Sequence, residues 1–156
     1  MRNEFSKAAA VAVSAILCCA SVLAQSKCHQ VAGTITTNFV DSANTLGSAT
    51  GDLAGGLGVK VINEQQGSGG TILLTVQHHW VTATGDTLSL DRAVVTLFPT
   101  SLPDFFAGSY VDGVVLNKFG TGRFAGASGK IYGWGAVDLV KGEVVLRYSG
   151  KVCNAN

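Results

Sequence analysis

Two adjacent histidines, His78 and His79, are the residues of this chain best suited to move a proton or hold a metal ion. Neighbours on a strand point to opposite faces, so the pair cannot chelate one ion from a single strand. Leu74, Val76, His78 and Trp80 share the more apolar parity, which places His78 inward and His79 in solvent. His29 is the one other histidine, and a metal site is not expected. An inward histidine is either a hydrogen-bonded interior residue or a general base, and both readings stay open for His78. Tyr148 is a second candidate for proton transfer or for orienting a bound molecule. Trp80, Tyr132, Trp134 and Phe124 are candidates to contact a ligand, although each would serve equally as core filling in a small barrel. Tyr132 and Trp134 share a parity opposed to that of Ile131, Gly133 and Val137, and the sequence leaves open which set faces in. No Ser/His/Asp arrangement and no pair of catalytic carboxylates stands out.

The stretch GTGRFAGASG, residues 120–129, fits the dinucleotide fingerprint G-x-G-x-x-G/A through Gly120, Gly122 and Ala125. That fingerprint holds a pyrophosphate only where the loop opens a helix, whose N-terminal amides make the site. Here Gly126, Gly129 and Gly133 fall where the helix would run. A nucleotide cofactor is therefore not expected, and the glycines read as bends and bulges between strands, with Phe124 plugging one end.

The elements that must position these residues are strands. Residues 31–39, 52–62, 71–83, 87–98, 110–119, 131–140 and 143–152 alternate or run apolar, with turn signals at Thr84-Gly85-Asp86 and Lys141-Gly142. An eighth strand is expected if residues 122–127 pair. In the last strand Val144, Leu146, Tyr148 and Val152 face in, and Glu143, Arg147 and Lys151 face out. Pro99 and Pro103 bracket a break, after which Phe105 and Phe106 form either a mouth loop or a packed lid. Long consecutive antiparallel strands favour an all-β, eight-stranded, antiparallel up-and-down β-barrel over a sandwich.

The first residues read as an export signal. Arg2 and Lys7 precede an apolar run over 8–23, and Val22-Leu23-Ala24 supplies small residues for cleavage. A signal peptide over 1–24 leaves 132 residues, 25–156, as one barrel domain, secreted or periplasmic. Nine basic and nine acidic residues remain in that domain. Such a balance gives no support for binding nucleic acid or, in the mature form, a membrane surface. Cys28 and Cys153, near the two mature ends, are expected to form a disulfide in an oxidising compartment. That bond would bring the first and last strands together, as barrel closure requires.

The glycine stretch, the alternating strand after it and GEVVLRY (residues 142–148) resemble the C-terminal half of the dirigent proteins and the related allene oxide cyclases. The resemblance implies a calycin-like, allene oxide cyclase-like eight-stranded barrel, and barrels of that kind often associate, so a homo-oligomer is one expectation. It also implies cyclase or isomerase chemistry on a hydrophobic substrate, with His78 or Tyr148 as the proton-transfer or orienting group. The family's acidic residue on an early strand has no counterpart in GTITTNF, residues 33–39. Three functions follow: a barrel that binds a small apolar or aromatic molecule inside, a cyclase- or isomerase-type catalyst, and a surface-interaction or inhibitor protein.

Overall fold

The computed structural model describes residues 27–154; the expected signal peptide, residues 1–24, lies outside the described residues. The strands are β1 (Lys27–Phe39), β2 (Asn44–Ala49), β3 (Gly55–Gln66), β4 (Ile72–Thr82), β5 (Thr87–Leu88), β6 (Ala93–Pro99), β7 (Phe105–Ser109), β8 (Val114–Leu116), β9 (Ser128–Asp138) and β10 (Glu143–Asn154). All pairings are antiparallel, and β10 bonds both β9 and β1, so the sheet closes on itself. Two staves are interrupted. β5 and β6 lie end to end along β4, and β7 and β8 lie end to end along β9. Counting each broken pair as one stave gives a closed eight-stranded barrel in which sequence neighbours are spatial neighbours. Closure removes both sheet edges, which would otherwise offer unpaired N–H and C=O groups.

Alternation sets the core. β10 buries Leu146, Tyr148 and Val152 and exposes Val145, Arg147 and Lys151. β4 buries Val76, His78, Trp80 and Thr82. Together with Val31, Ile35, Leu57, Val95 and Ile131 these side chains fill the cylinder. β1 and β10 meet at the seam, where Cys28 and Cys153 are direct cross-strand partners and form a disulfide across 125 positions of sequence. A bond of this kind points to an oxidising compartment outside the cytoplasm.

Three expectations change. The eighth stave is β2, not residues 122–127: Gly122–Phe124 form a single 3-10 turn, tied down by a bridge between Phe119 and Ala125. Gly122 has φ of 54°, and a Cβ there would strike the Asp86 carboxylate, so the glycine serves a tight approach and no helix follows it. The strand expected over 110–119 is broken, because a turn in which the Gly113 N–H donates to the Tyr110 carbonyl separates β7 from β8. Phe105 and Phe106 are neither loop nor lid. They begin β7, pairing with Asp138 and Val137, and Phe106 packs against the core.

Candidate functional site

One end of the barrel is closed by short 3-10 turns rather than by long loops. Gly51–Leu53 folds across it and buries Leu53 to 2% exposure. Two aromatic side chains hold that turn. The Tyr148 hydroxyl accepts the Leu53 N–H at 2.9 Å and donates to the Thr50 carbonyl at 2.8 Å. The Trp80 indole N–H donates to the Leu53 carbonyl at 2.9 Å. The two rings meet edge to face, with centroids 5.4 Å apart. Phe124 packs beside them, buried beneath Arg123, whose guanidinium lies 4.8 Å from the ring centroid and 3.7 Å from the Asp86 carboxylate.

The other half is hollow. A slot of about 70 Å³ runs from mid-barrel, at Ile35, Val76 and His78, toward the opposite end, at Phe39, Val61 and Val144. Its walls are almost wholly aliphatic or aromatic; Thr37, Thr45, His78 and Tyr110 are the polar residues, and no carboxylate, lysine or arginine borders it. The space suits a small ring or a short chain better than a long lipid. Around this end the turns carry exposed apolar residues, Val40 at 57%, Leu102 at 60% and Val140 at 77%. These turns adjoin one another, since the Phe39 N–H donates to the Gly142 carbonyl and the Leu139 N–H to the Asp104 carbonyl.

His78 and Tyr110 mark the floor of the slot. The imidazole Nε2 lies 2.8 Å from the Tyr110 hydroxyl, and the ring centroids are 5.3 Å apart. Both residues also border a second hollow of about 20 Å³ on the side of Trp80 and Tyr148. The pair therefore separates two cavities. Burial, and to a lesser degree the neighbouring His79, pushes the His78 imidazole down to about 4, so it is neutral at physiological pH. Burial raises the Tyr110 hydroxyl well above its ordinary value. His78 Nδ1 is buried and has no hydrogen-bond partner among the described residues.

Both broken staves lie beside this pair. Between β5 and β6 the chain leaves β4 opposite Gln77, His78 and His79, and the Gln77 amide crosses the gap to donate to the Leu90 carbonyl at 2.9 Å. Tyr110 sits at the break between β7 and β8, where the Gly133 carbonyl accepts its N–H at 2.9 Å. Neither break re-aims the pair: His78 keeps the alternation of Val76 and Trp80, and Tyr110 that of Gly108, Val114 and Leu116.

The sequence candidates thus divide. His78, Trp80 and Tyr148 come together inside, with His79 exposed on the outer face. Only His78 borders the larger slot; Trp80 and Tyr148 border the smaller hollow and spend their polar atoms on the Leu53 turn. Phe124 closes the barrel end and touches neither hollow. Neither Tyr132 nor Trp134 borders the larger slot, and Trp134 borders neither hollow. They alternate with Ile131 and Gly133 on β9, stay 43% and 49% exposed, and lie on the outer face, although Tyr132 borders the smaller hollow from the wall. Tyr110 was not singled out by sequence reasoning. The Asp112-Gly113 turn signal directly after it shows that its strand ends there, but not which way its ring points.

The fold and the site together define a closed eight-stranded antiparallel barrel with a largely apolar interior and one buried polar pair. Comparison with protein-family models, with curated proteins and with solved structures finds no match for this chain.

Proposed function

We propose that this protein is an exported barrel that binds one small apolar or aromatic molecule in the slot above His78 and Tyr110. The observation that carries the reading is the slot itself: an apolar hollow closed at one end, with a buried polar pair at its floor and apolar turns around its other end. Such a combination of apolar walls and few convergent polar groups is the usual form of a small-molecule site. Export rests on the apolar leader and on the terminal disulfide. The likeness of residues 120–148 to dirigent proteins and allene oxide cyclases supports the same architecture and is compatible with a hydrophobic ligand.

A cyclase or isomerase acting on a hydrophobic substrate is the second reading, favoured by the contact of His78 with Tyr110 in a dry interior. Two features rank it lower. A histidine held near 4 is a weak base at neutral pH. The slot also offers no carboxylate in place of the acidic residue that the resembled family would supply.

Titration of the mature protein with benzene, followed by ligand-observed NMR and by calorimetry, tests the binding reading. One-to-one binding that is suppressed by filling the slot with Val76→Trp supports it. Absence of binding in both readouts sinks it.

A further inference from the structure

The binding reading leaves the chemistry of the ligand open, and the unpartnered nitrogen of His78 narrows it. His78 is 7% exposed, and its Nε2 is taken by the Tyr110 hydroxyl at 2.8 Å. Two proton arrangements are open to the pair. If Nε2–H donates to the phenol oxygen, the phenol hydrogen has no acceptor and Nδ1 is an unsatisfied acceptor, which leaves two buried groups unpaired. If the phenol donates to Nε2 instead, Nδ1 carries the hydrogen and only that one donor is left over. Each unsatisfied buried polar group is costly, so the second arrangement is favoured. No polar atom of the described residues meets Nδ1, and His78 borders both hollows, so a group on a bound molecule there can supply the acceptor.

We propose that the slot selects an uncharged molecule carrying one hydrogen-bond acceptor oxygen, a carbonyl or ether on an apolar ring or short chain, with the acceptor placed on His78 Nδ1–H. The proposal rests on the binding reading above and adds the polar group that the ligand presents. Tyr110 is a positioning residue here: by donating to Nε2 it fixes which nitrogen carries the hydrogen. An anionic group is disfavoured, because no lysine or arginine borders the slot and a bare charge buried among aliphatic walls is strongly penalised. Thr37 and Thr45 are the other polar side chains at the wall, and hydroxyls of that kind do not compensate an unpaired carboxylate.

Ligand-observed NMR titrations with cyclohexane, cyclohexanone and cyclohexanecarboxylate at pH 7 test the assignment with one body and three polar endings. The ratio of cyclohexanone to cyclohexane affinity is expected to be about tenfold higher in the wild type than in His78→Phe, the equivalent of roughly 1.4 kcal/mol, and in the wild type the ketone should bind more tightly than the carboxylate. In His78→Phe the ketone is expected to bind more weakly than the hydrocarbon, because its carbonyl is then buried without a donor. The same ratio in both proteins would overturn the acceptor assignment and leave the binding reading intact. Tightest binding of the carboxylate would overturn the neutral-ligand assignment in the same way. Failure of all three to bind, with benzene bound, would also overturn this inference alone; failure of every probe removes both readings. A long-range ¹H–¹⁵N spectrum of the wild-type imidazoles needs no variant to fold. It should show His78 protonated at Nδ1, with that proton moving downfield as cyclohexanone is added, and protonation at Nε2 would overturn the proposal.

Discussion

Gly33 of β1 lies directly opposite Tyr148 of β10, and a Cβ built on Gly33 would come within 2.6 Å of the Tyr148 hydroxyl and ring edge. The missing side chain is what lets the phenol lie across the seam and reach the turn at Leu53. Gly33→Ala would force both the Tyr148 ring and the still nearer Thr50 carbonyl to move. Overpacking of this kind is expected to destabilise the barrel by about 1–3 kcal/mol, measured by urea unfolding. An unchanged midpoint would show that the seam has slack.

Tyr148→Phe keeps the ring and deletes the hydroxyl. The Leu53 N–H and the Thr50 carbonyl then lose their partner in a buried place. The expected loss is about 1–3 kcal/mol in the same assay, with ligand binding in the slot little altered. A binding defect with unchanged stability would instead return Tyr148 to the ligand site.

The two tryptophans should behave oppositely. Trp80 is 3% exposed and bonded to Leu53, and Trp80→Ala is expected to cost about 3–5 kcal/mol. Trp134 is half-exposed on the outer face, and Trp134→Ala is expected to shift stability by no more than about 0.5 kcal/mol. Quenching by acrylamide should likewise reach one tryptophan and spare the other.

Stability should fall on acidification between about pH 6.5 and pH 4. In the folded protein His78 stays neutral until about 4, whereas the unfolded chain takes up a proton at the ordinary histidine value of 6.5. Between those limits the unfolded state binds more protons, so unfolding is favoured as pH drops, and the His78 contribution flattens below about 4. The depression corresponds to about 3 kcal/mol. Asp41, whose carboxylate is held below its ordinary value chiefly by the Ala43 N–H and the Asn44 side chain, adds a loss of the same sign at lower pH. The difference between wild type and His78→Phe over pH 4–7 isolates the histidine; a difference that does not vary with pH would refute the assignment.

Replacing both Cys28 and Cys153 with serine should lower stability by up to about 4–5 kcal/mol, since the bond closes a loop over a sequence separation of 125. In the form beginning at Gln25, thiol titration in denaturant without reductant should find no free thiol.

Strand alternation made much of this fold readable beforehand, and the limits are physical. The inward face of β10 and the inward place of His78 followed from period-two patterning around apolar neighbours. β2, with the sequence NTLGSA, escaped notice because only Thr45 and Ala49 are buried in it and neither is a strong apolar marker. Tyr132 and Trp134 were ambiguous because glycines fill much of the inward parity of β9, so size pointed the wrong way. Tyr110 was hidden because Asp112 interrupts the parity it shares with the buried Val114 and Leu116, while Val111 and Val115 make the outward parity equally apolar. Partnerships across the barrel, such as His78 with Tyr110, depend on closure and have no signature in local spacing.

The seam between β1 and β10 also sets when the barrel can be completed. β1 finds β2 within a few residues, but its other edge is satisfied only by β10, at the far end of the barrel's chain order. A nascent chain must therefore present an open, unpaired strand until β10 has been made, and covalent locking waits on that pairing. A compartment that oxidises thiols suits a molecule whose cylinder is finished by the meeting of its two most distant strands.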